Sequence, residues 1–548
     1  MVMNKTVSAI AALVLSLTFS LTQAAEISPQ LQAAMEAAEP GDKLPVIINL
    51  VGDVNLGAFK GLDRASKRTK LVADLKAAAA VAQGPIIDVL QQQGISNARS
   101  LWAINALATE LPVGAINGLS HNPKIESIRL DIEFQAKPTA PAVPSIPGWN
   151  LNAIRAPELW SLGFKGKNTV IASMDSGVDA EHPDLAAQWR GGSNSWFDPS
   201  GQHATPYDNT GHGTQVMGLA VSGGSSGTAI GAAPDAKWIA VKIFNDSGVA
   251  TLSGVHAGYQ WLLDPDGNPK KNDMPDVVNN SWAIGTIGGC STEFQEDINV
   301  LRAADIAVVF SAGNYGSNAG TSVSPANNPG SLAVGAVDEN LVIASTSSRG
   351  PSACDGAIYP PVSAPGINVQ TTDLTFGGVV PNSYAWVSGT SFAAPHVAGA
   401  IALLKHAMPD ASLNDIEQAI MQGALDRGTA GADNDYGYGV LDIMEAYYAL
   451  NATPPTAPPP EPPPEPPQGE NTISVTLAEY NSSRDRLTVK ATSALGGDAL
   501  LVLEGYGDMV WSQRKAVWSK TVNKAGGDPG VVTVSGPEGS VSISTTAK

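Results

Sequence analysis

Residues 169–178 read Thr169-Val170-Ile171-Ala172-Ser173-Met174-Asp175-Ser176-Gly177-Val178. The stretch Thr169–Met174 is almost continuously apolar, which predicts a strand covered on both faces rather than one with a wet side. The same pattern returns at Trp238–Ile243, Asp276–Asn280, Ala307–Ser311 and Leu332–Val337, with helix-like segments between. Strands alternating with helices predict an α/β domain built on a parallel sheet, which we place from Trp149 to about Asn451. Asp175 then stands at the carboxyl end of a buried parallel strand, where open α/β sheets gather their ligands.

Three further motifs lie in this domain: Asn209-Thr210-Gly211-His212-Gly213-Thr214, Ser311-Ala312-Gly313-Asn314, and Gly389-Thr390-Ser391-Phe392-Ala393-Ala394-Pro395-His396-Val397-Ala398-Gly399. A hydroxyl is a poor nucleophile at neutral pH and needs a base within hydrogen-bond reach. Histidine has a suitable pKa, and a carboxylate on its other ring nitrogen fixes the tautomer and stabilises the imidazolium. Asp175, His212 and Ser391 therefore suffice chemically for nucleophilic catalysis. Ser391 opens a helix-like segment, Phe392–Met408, whose first amides would face an oxyanion with the helix dipole behind them. The Asn314 side-chain amide offers a second donor.

DSGVD, HGT, SAGN and GTSFAAPHVAG, in that order, resemble the subtilisin-like (subtilase, S8 type) serine peptidases over about Trp149 to Tyr448. The resemblance implies Ser391 as nucleophile, His212 as general acid/base, Asp175 as its orienter, and Asn314 with the Ser391 amide as oxyanion hole. It also implies that the backbone of Ser281, Trp282 and Ala283 binds an extended polypeptide as an added strand. Gly313 and Tyr315, on either side of Asn314, and the wall Gly285–Gly289 are expected at the substrate pocket. No Asp or Glu stands among these residues, which favours an apolar or aromatic residue at the position before the cut. Two family positions differ here: Gln215 follows HGT and Phe392 follows GTS. No cofactor is needed for this chemistry. The family often binds structural calcium, and Asp184 matches one carboxylate ligand, but Ser222–Gly227 (SGGSSG) supplies no side-chain partner. Calcium takes six to eight oxygens, so it stands as possible only. His396 and His182 are read as structural, and the acidic loops 264–268 and 433–435 as solvated turns.

The rest of the chain, 548 residues in all, needs further domains. Lys5, the short apolar run Ile10–Leu21 and the small residues Thr22, Ala24 and Ala25 read as a signal peptide over 1–24, implying a secreted protein. That run is shorter than the roughly 20 residues that span a bilayer, and no later stretch is long enough either, so no membrane span is expected. Residues 26–137 alternate strand-like and helix-like runs, with a helix over Arg64–Gln93 interrupted at Gly84-Pro85; this suggests a small α+β unit of ferredoxin-like kind. The resemblance makes it the inhibitory propeptide, with maturation between Phe134 and Trp149, where Pro138, Pro141, Pro144 and Pro147 prevent regular structure. Residues 452–468 hold ten prolines and form a stiff spacer of about 50 Å. Residues 470–548 alternate as an all-β sandwich, with Trp511, Trp518, Tyr480 and Tyr506 read as core rather than an exposed binding cluster. The only cysteines, Cys290 and Cys354, read as one disulfide in an exported protein.

The net charge of −19 disfavours nucleic acid as a partner. The expected partners are polypeptide substrates and the chain's own propeptide, with the protein a monomer. An alternative keeps the peptidase fold catalytically dead and works through the C-terminal module; the intact triad argues against it. An α/β-hydrolase esterase is disfavoured because its nucleophile precedes the acid and the base.

Overall fold

A computed structural model describes residues 24–39, 41–136, 148–224, 230–452, 473–493, 495–513, 515–536 and 539–548. The expected signal peptide, save for Ala24, lies outside these residues, as do the linker 137–147 and the Pro-rich spacer from 453 onward. The chain divides into two compact units, 1–453 and 454–548.

The larger unit is built on a seven-stranded sheet, all parallel, in the order Val362–Pro365, Leu332–Val337, Ala307–Ser311, Val277–Asn280, Val170–Asp175, Lys237–Lys242 and Trp196–Phe197. The five apolar runs seen in the sequence form its centre. The two strands not foreseen are its edges. The helices His212–Val221 and Thr390–Ala407 share one core with the alanines and valines on one face of the sheet. On the other face lie Leu252–Leu263 and Gln295–Ala303, whose core also takes in Phe59, Leu71, Val72 and Leu75 from the N-terminal region. Each strand is thus buried on both sides, which is why its sequence does not alternate.

The N-terminal α+β region carries a five-stranded sheet ordered Glu26–Ile27, Ile125–Leu130, Lys43–Leu50, Ala106–Pro112, Arg99–Leu101. The pairings among the last four of these strands are antiparallel, while Glu26–Ile27 runs parallel to Ile125–Leu130. The interruption expected at Gly84-Pro85 is absent: one helix runs unbroken over Arg64–Gln92. Pro85 and Val81, the residue whose carbonyl loses its partner, both lie on the exposed side, so water can take the freed group. The opposite side stays packed through Leu71, Leu75, Ala79, Gln83, Ile86 and Leu90.

The C-terminal unit is two sheets over one core. One sheet is ordered Val510–Ser512, Val517–Asn523, Arg486–Thr492, Ser474–Asn481, Thr546–Ala547, and the other Gly507–Asp508, Val502–Leu503, Val531–Gly536, Gly539–Ser544. Trp518 and Tyr480 are buried in that core with Leu487, Val489, Leu503 and Val534; Trp511 and Tyr506 pack against it. The Trp518 indole donates to Gly496 O at 2.8 Å. These aromatics are therefore sandwich core.

Candidate active site

Three neighbouring strands end at the same edge of the sheet, and their carboxyl ends carry Asp175, Asn280 followed by Ser281, and Ser311 followed by Gly313-Asn314. The His212 and Ser391 helices begin at that edge.

Asp175 and His212 meet because two glycines let their backbones touch. Gly177 takes φ 115°, open to glycine but strained for other residues. A Cβ added to Gly213 would lie 2.0 Å from Gly177 O. With nothing but hydrogen there, the first residue of helix His212–Val221 sits on the strand end, and His212 Nδ1 lies 2.7 Å from Asp175 Oδ1. A carboxylate only accepts, so Nδ1 carries the proton and Nε2 is left as the acceptor.

The sequence reading missed two groups that brace this pair. Asp208 is buried, and its carboxylate accepts from Ser176 Oγ (3.0 Å), the amides of Thr210, Gly211 and Thr214, and Thr214 Oγ1 (2.7 Å). It ties the residue after Asp175 to the first turn of the His212 helix. Ser176 Oγ in turn accepts from Gly213 N at 2.9 Å. The fully buried Lys242 donates to Ser176 O and Asn209 Oδ1, both at 2.8 Å. An aspartate four residues ahead of His212, where a helix begins, was the available signal. Burial disfavours the imidazolium of His212, but Asp175, by charge and hydrogen bond, and Asp208, by charge, outweigh it, and the pKa rises above 6.5.

Ser391 is the second residue of helix Thr390–Ala407. Its Oγ donates to Ser281 O at 3.4 Å, and no hydrogen bond joins it to His212. The next ring along, Phe392, lies against the imidazole with centroids 5.6 Å apart. Catalytic hydrogen bonds are often long or misaligned before substrate arrives. Ser281 Oγ donates to Ser391 O at 2.8 Å, anchoring this turn to the neighbouring strand end.

Asn314 Oδ1 accepts from Thr390 N and Thr390 Oγ1, both at 2.9 Å. A backbone N–H can only donate, so this contact sets the amide's orientation and leaves Nδ2 free on the Gly389 side. Ser391 N–H, in the first turn of its helix, is a donor without an intrahelical acceptor.

Among the candidate substrate residues, Trp282 is buried against Tyr259, Phe294 and Phe310. Gly313 (φ 97°) lies against Val323 and Ser348. Ala283 and Tyr315 are half-buried, and Tyr315 N–H donates to Ser348 Oγ at 3.2 Å. Cys290 and Cys354 are disulfide-bonded.

The chain's own segment Glu133–Gln135 pairs antiparallel with Val249–Thr251. Phe134 sits between Phe244 and Trp282, with centroids 5.7 and 5.9 Å away. This places an extended peptide one residue from Ser281, which touches Ser391.

Asp184 is fully buried and accepts from Tyr384 OH at 2.6 Å. Residues 225–229 of the loop opposite lie outside the described residues. His182 is fully buried rather than in a surface loop: Asp184 N donates to its Nδ1 (3.1 Å), which caps a short helix, and Nε2 lies 2.9 Å from Ser383 O. His396 is also core, between Phe392 O (2.9 Å) and Asn150 Nδ2 (2.8 Å), and burial pushes its pKa down to about 4.

A model of the Subtilase family matches residues 166–439. Bacillopeptidase F of Bacillus subtilis (strain 168) is 34% identical over 423 residues, 70% of this chain and 29% of that protein, so the chain spans less than a third of that relative. Subtilisin E of the same organism is 33% identical over 362 residues, 66% of this chain and 85% of the relative. Subtilisin of Bacillus pumilus is 34% identical over 305 residues, 55% of this chain and 98% of the relative.

Proposed function

Since the chain belongs to the subtilase family and is a subtilisin-like serine endopeptidase, we propose that Ser391, His212 and Asp175 carry its chemistry through an acyl-enzyme. Ser391 Oγ attacks the peptide carbonyl as His212 Nε2 takes its proton. The new C–O bond leaves the negative charge on the former carbonyl oxygen, which receives Asn314 Nδ2–H and Ser391 N–H. Collapse expels the amine, which takes the proton from His212. Water then repeats the sequence on the ester and frees Ser391. Asp175 holds the Nδ1–H throughout and steadies the imidazolium. Loss of one oxyanion donor costs about 10²–10³ in turnover, a magnitude established on subtilisin itself.

The observation that carries this reading is the 2.7 Å His212–Asp175 contact at the strand edge that also holds Ser391 and Asn314. A fluorophosphonate probe should label the processed protein, and Ser391→Ala should abolish both labelling and peptide hydrolysis. Labelling that survives this substitution would refute the assignment.

We read residues 26–137 as the propeptide, because their last strand lies beside Trp282 as a substrate strand would. Maturation falls between Phe134 and Trp149, after export directed by residues 1–24. Ser281, Trp282, Ala283, Gly313 and Tyr315 form the substrate-binding side, and the lack of acidic residues there supports an apolar or aromatic residue before the cut. The enzyme acts as a secreted monomer. Catalysis needs no cofactor; Asp184 is retained as the candidate calcium carboxylate, tested by whether chelation lowers thermal stability. Asp264, Asp266 and Asp273 also bring carboxylates together, but Lys76, Lys271 and Asn194 already pair with them.

A further inference from the structure

The helix Arg64–Gln92 overruns its own small sheet and lays its first three turns on the peptidase domain. There Arg68 is buried, 2% exposed, although it is charged. Its Nε donates to Ala304 O (2.7 Å), its Nη1 to Asn272 Oδ1 (2.9 Å) and Met274 O (3.4 Å), and its Nη2 to Pro275 O (2.8 Å) and Asp305 O (3.2 Å). A guanidinium has five N–H donors in a fixed plane, and each finds an acceptor here. All five acceptors belong to the peptidase domain. Ala304 O and Asp305 O lie at the carboxyl end of helix Gln295–Ala303, where carbonyls lack intrahelical partners and the dipole favours a cation. Met274 O and Pro275 O lead into the central strand Val277–Asn280. Two flanking ion pairs frame the cradle: Arg64 Nη2 to Asp276 Oδ1 (2.5 Å) and Lys67 Nζ to Asp305 Oδ2 (2.9 Å). Burial pulls the Arg68 pKa down to about 9, with Arg64 adding to the pull and the charges of Asp276 and Asp305 opposing it.

We propose that this cradle is a guanidinium-recognition site of the peptidase domain, remote from the catalytic edge, and that it retains the N-terminal domain through Arg68 after the linker is cut. The proposal rests on the reading of residues 26–137 as a propeptide. Strand Glu133–Gln135 pairs with Val249–Thr251, and Phe59, Leu71, Val72 and Leu75 pack on the peptidase helices, but apolar packing is not directional. Arg68 adds the geometrically selective hold. The planar fork explains the choice of arginine, since a lysine ammonium could meet at most three of the five acceptors.

The test uses the full chain. Wild type, Arg68→Ala and Arg68→Lys are allowed to process themselves, and retention of the N-terminal fragment is followed by size exclusion alongside the onset of peptidase activity. Removing one partner of a buried, hydrogen-bonded charge from an interface weakens it by a factor on the order of 10² or more. We therefore expect both variants to release the fragment at concentrations about 10²-fold higher than wild type does. Millimolar ethylguanidinium should restore retention in Arg68→Ala, while ethylammonium should not. Retention like that of wild type, or equal rescue by both cations, overturns the proposal. If Arg68→Ala folds too poorly to process, it is made in the uncleavable Ser391→Ala chain, where ethylguanidinium must raise the melting temperature of the double variant and leave Ser391→Ala itself unmoved. No selective rise also overturns it. A wild-type chain that shows no latency would instead strike at the propeptide reading, and the selective rise in the uncleavable chain would still decide the cradle.

Discussion

Gly213→Ala tests how the acid and base are brought together. The added methyl would lie 2.0 Å from Gly177 O and 3.1 Å from the Gly177 C and N atoms. Non-bonded heavy atoms rest near 3.5 Å, so the two segments must part by about 1.5 Å. Both are backbone, and neither can swing aside as a side chain would. Asp208 and Ser176 tie the same two segments together, so the strain falls on the Asp175–His212 contact. Its 2.7 Å separation would open to about 4 Å, beyond hydrogen bonding. Loss of that contact at constant fold costs up to about 10⁴ in kcat in the triad template, and misplacement by 1 Å costs about 10². We expect kcat to fall by 10²–10⁴ with KM within a few-fold, and stability to drop by about 1–3 kcal/mol, as for other overpacked sites. Active-site titration with a peptide nitroanilide assay on the titrated fraction measures the first quantity, and urea unfolding the second. A Gly213→Ala enzyme with wild-type kcat would show that the close backbone approach does not hold the pair.

Asp208→Asn keeps the hydrogen-bond acceptors on one oxygen but removes the charge that helps raise the His212 pKa; the acid limb of kcat/KM should move to lower pH than in wild type, and an unmoved limb refutes the electrostatic role. His396 is held neutral with a pKa of about 4. Its contribution is present above the ordinary 6.5 and is lost as pH falls from 6.5 toward 4, reaching about 3 kcal/mol. Urea midpoints of the Ser391→Ala chain should fall over that range, and His396→Gln should flatten the fall; an equal slope in both counts against it. Replacing Cys290 and Cys354 by serine opens a 64-residue loop and should cost up to about 4 kcal/mol, read as a lower unfolding midpoint; an unchanged midpoint would mean the bridge is energetically idle.

The central strands were legible because burial on both faces leaves a run of apolar residues that no surface element needs. The edges were not: Trp196–Phe197 has only two residues, and Val362–Pro365 ends in proline. Proline also misled at position 85, where the pattern read as a break but the helix continues because the freed carbonyl faces solvent. Asp175 and His212 could be singled out from their motifs, yet 37 residues separate them and nothing in that spacing encodes a 2.7 Å contact. Asp208 and Lys242 belong to no motif; their work is to hold loops. His256 likewise carried no signal, although it is buried with Nδ1 2.7 Å from Asp297 Oδ2 and Nε2 2.9 Å from Glu293 Oε1, next to Arg129 of the N-terminal region. Arg68 looked like one charge in a basic helical run, because its acceptors lie more than 200 residues away and are mostly main-chain oxygens, which no sequence displays.

The strand Glu133–Gln135 lays a segment of known sequence beside Trp282. Its backbone meets Val249–Thr251, Ala136 N–H reaches Gly248 O at 3.0 Å, and Phe134 fills the aromatic slot. If residues 26–137 are the propeptide, as proposed above, a short peptide copied from Asp131–Ala136 and ended in an electrophile is a starting scaffold for a selective inhibitor, and trimming its phenyl group measures how much of the binding resides in that slot.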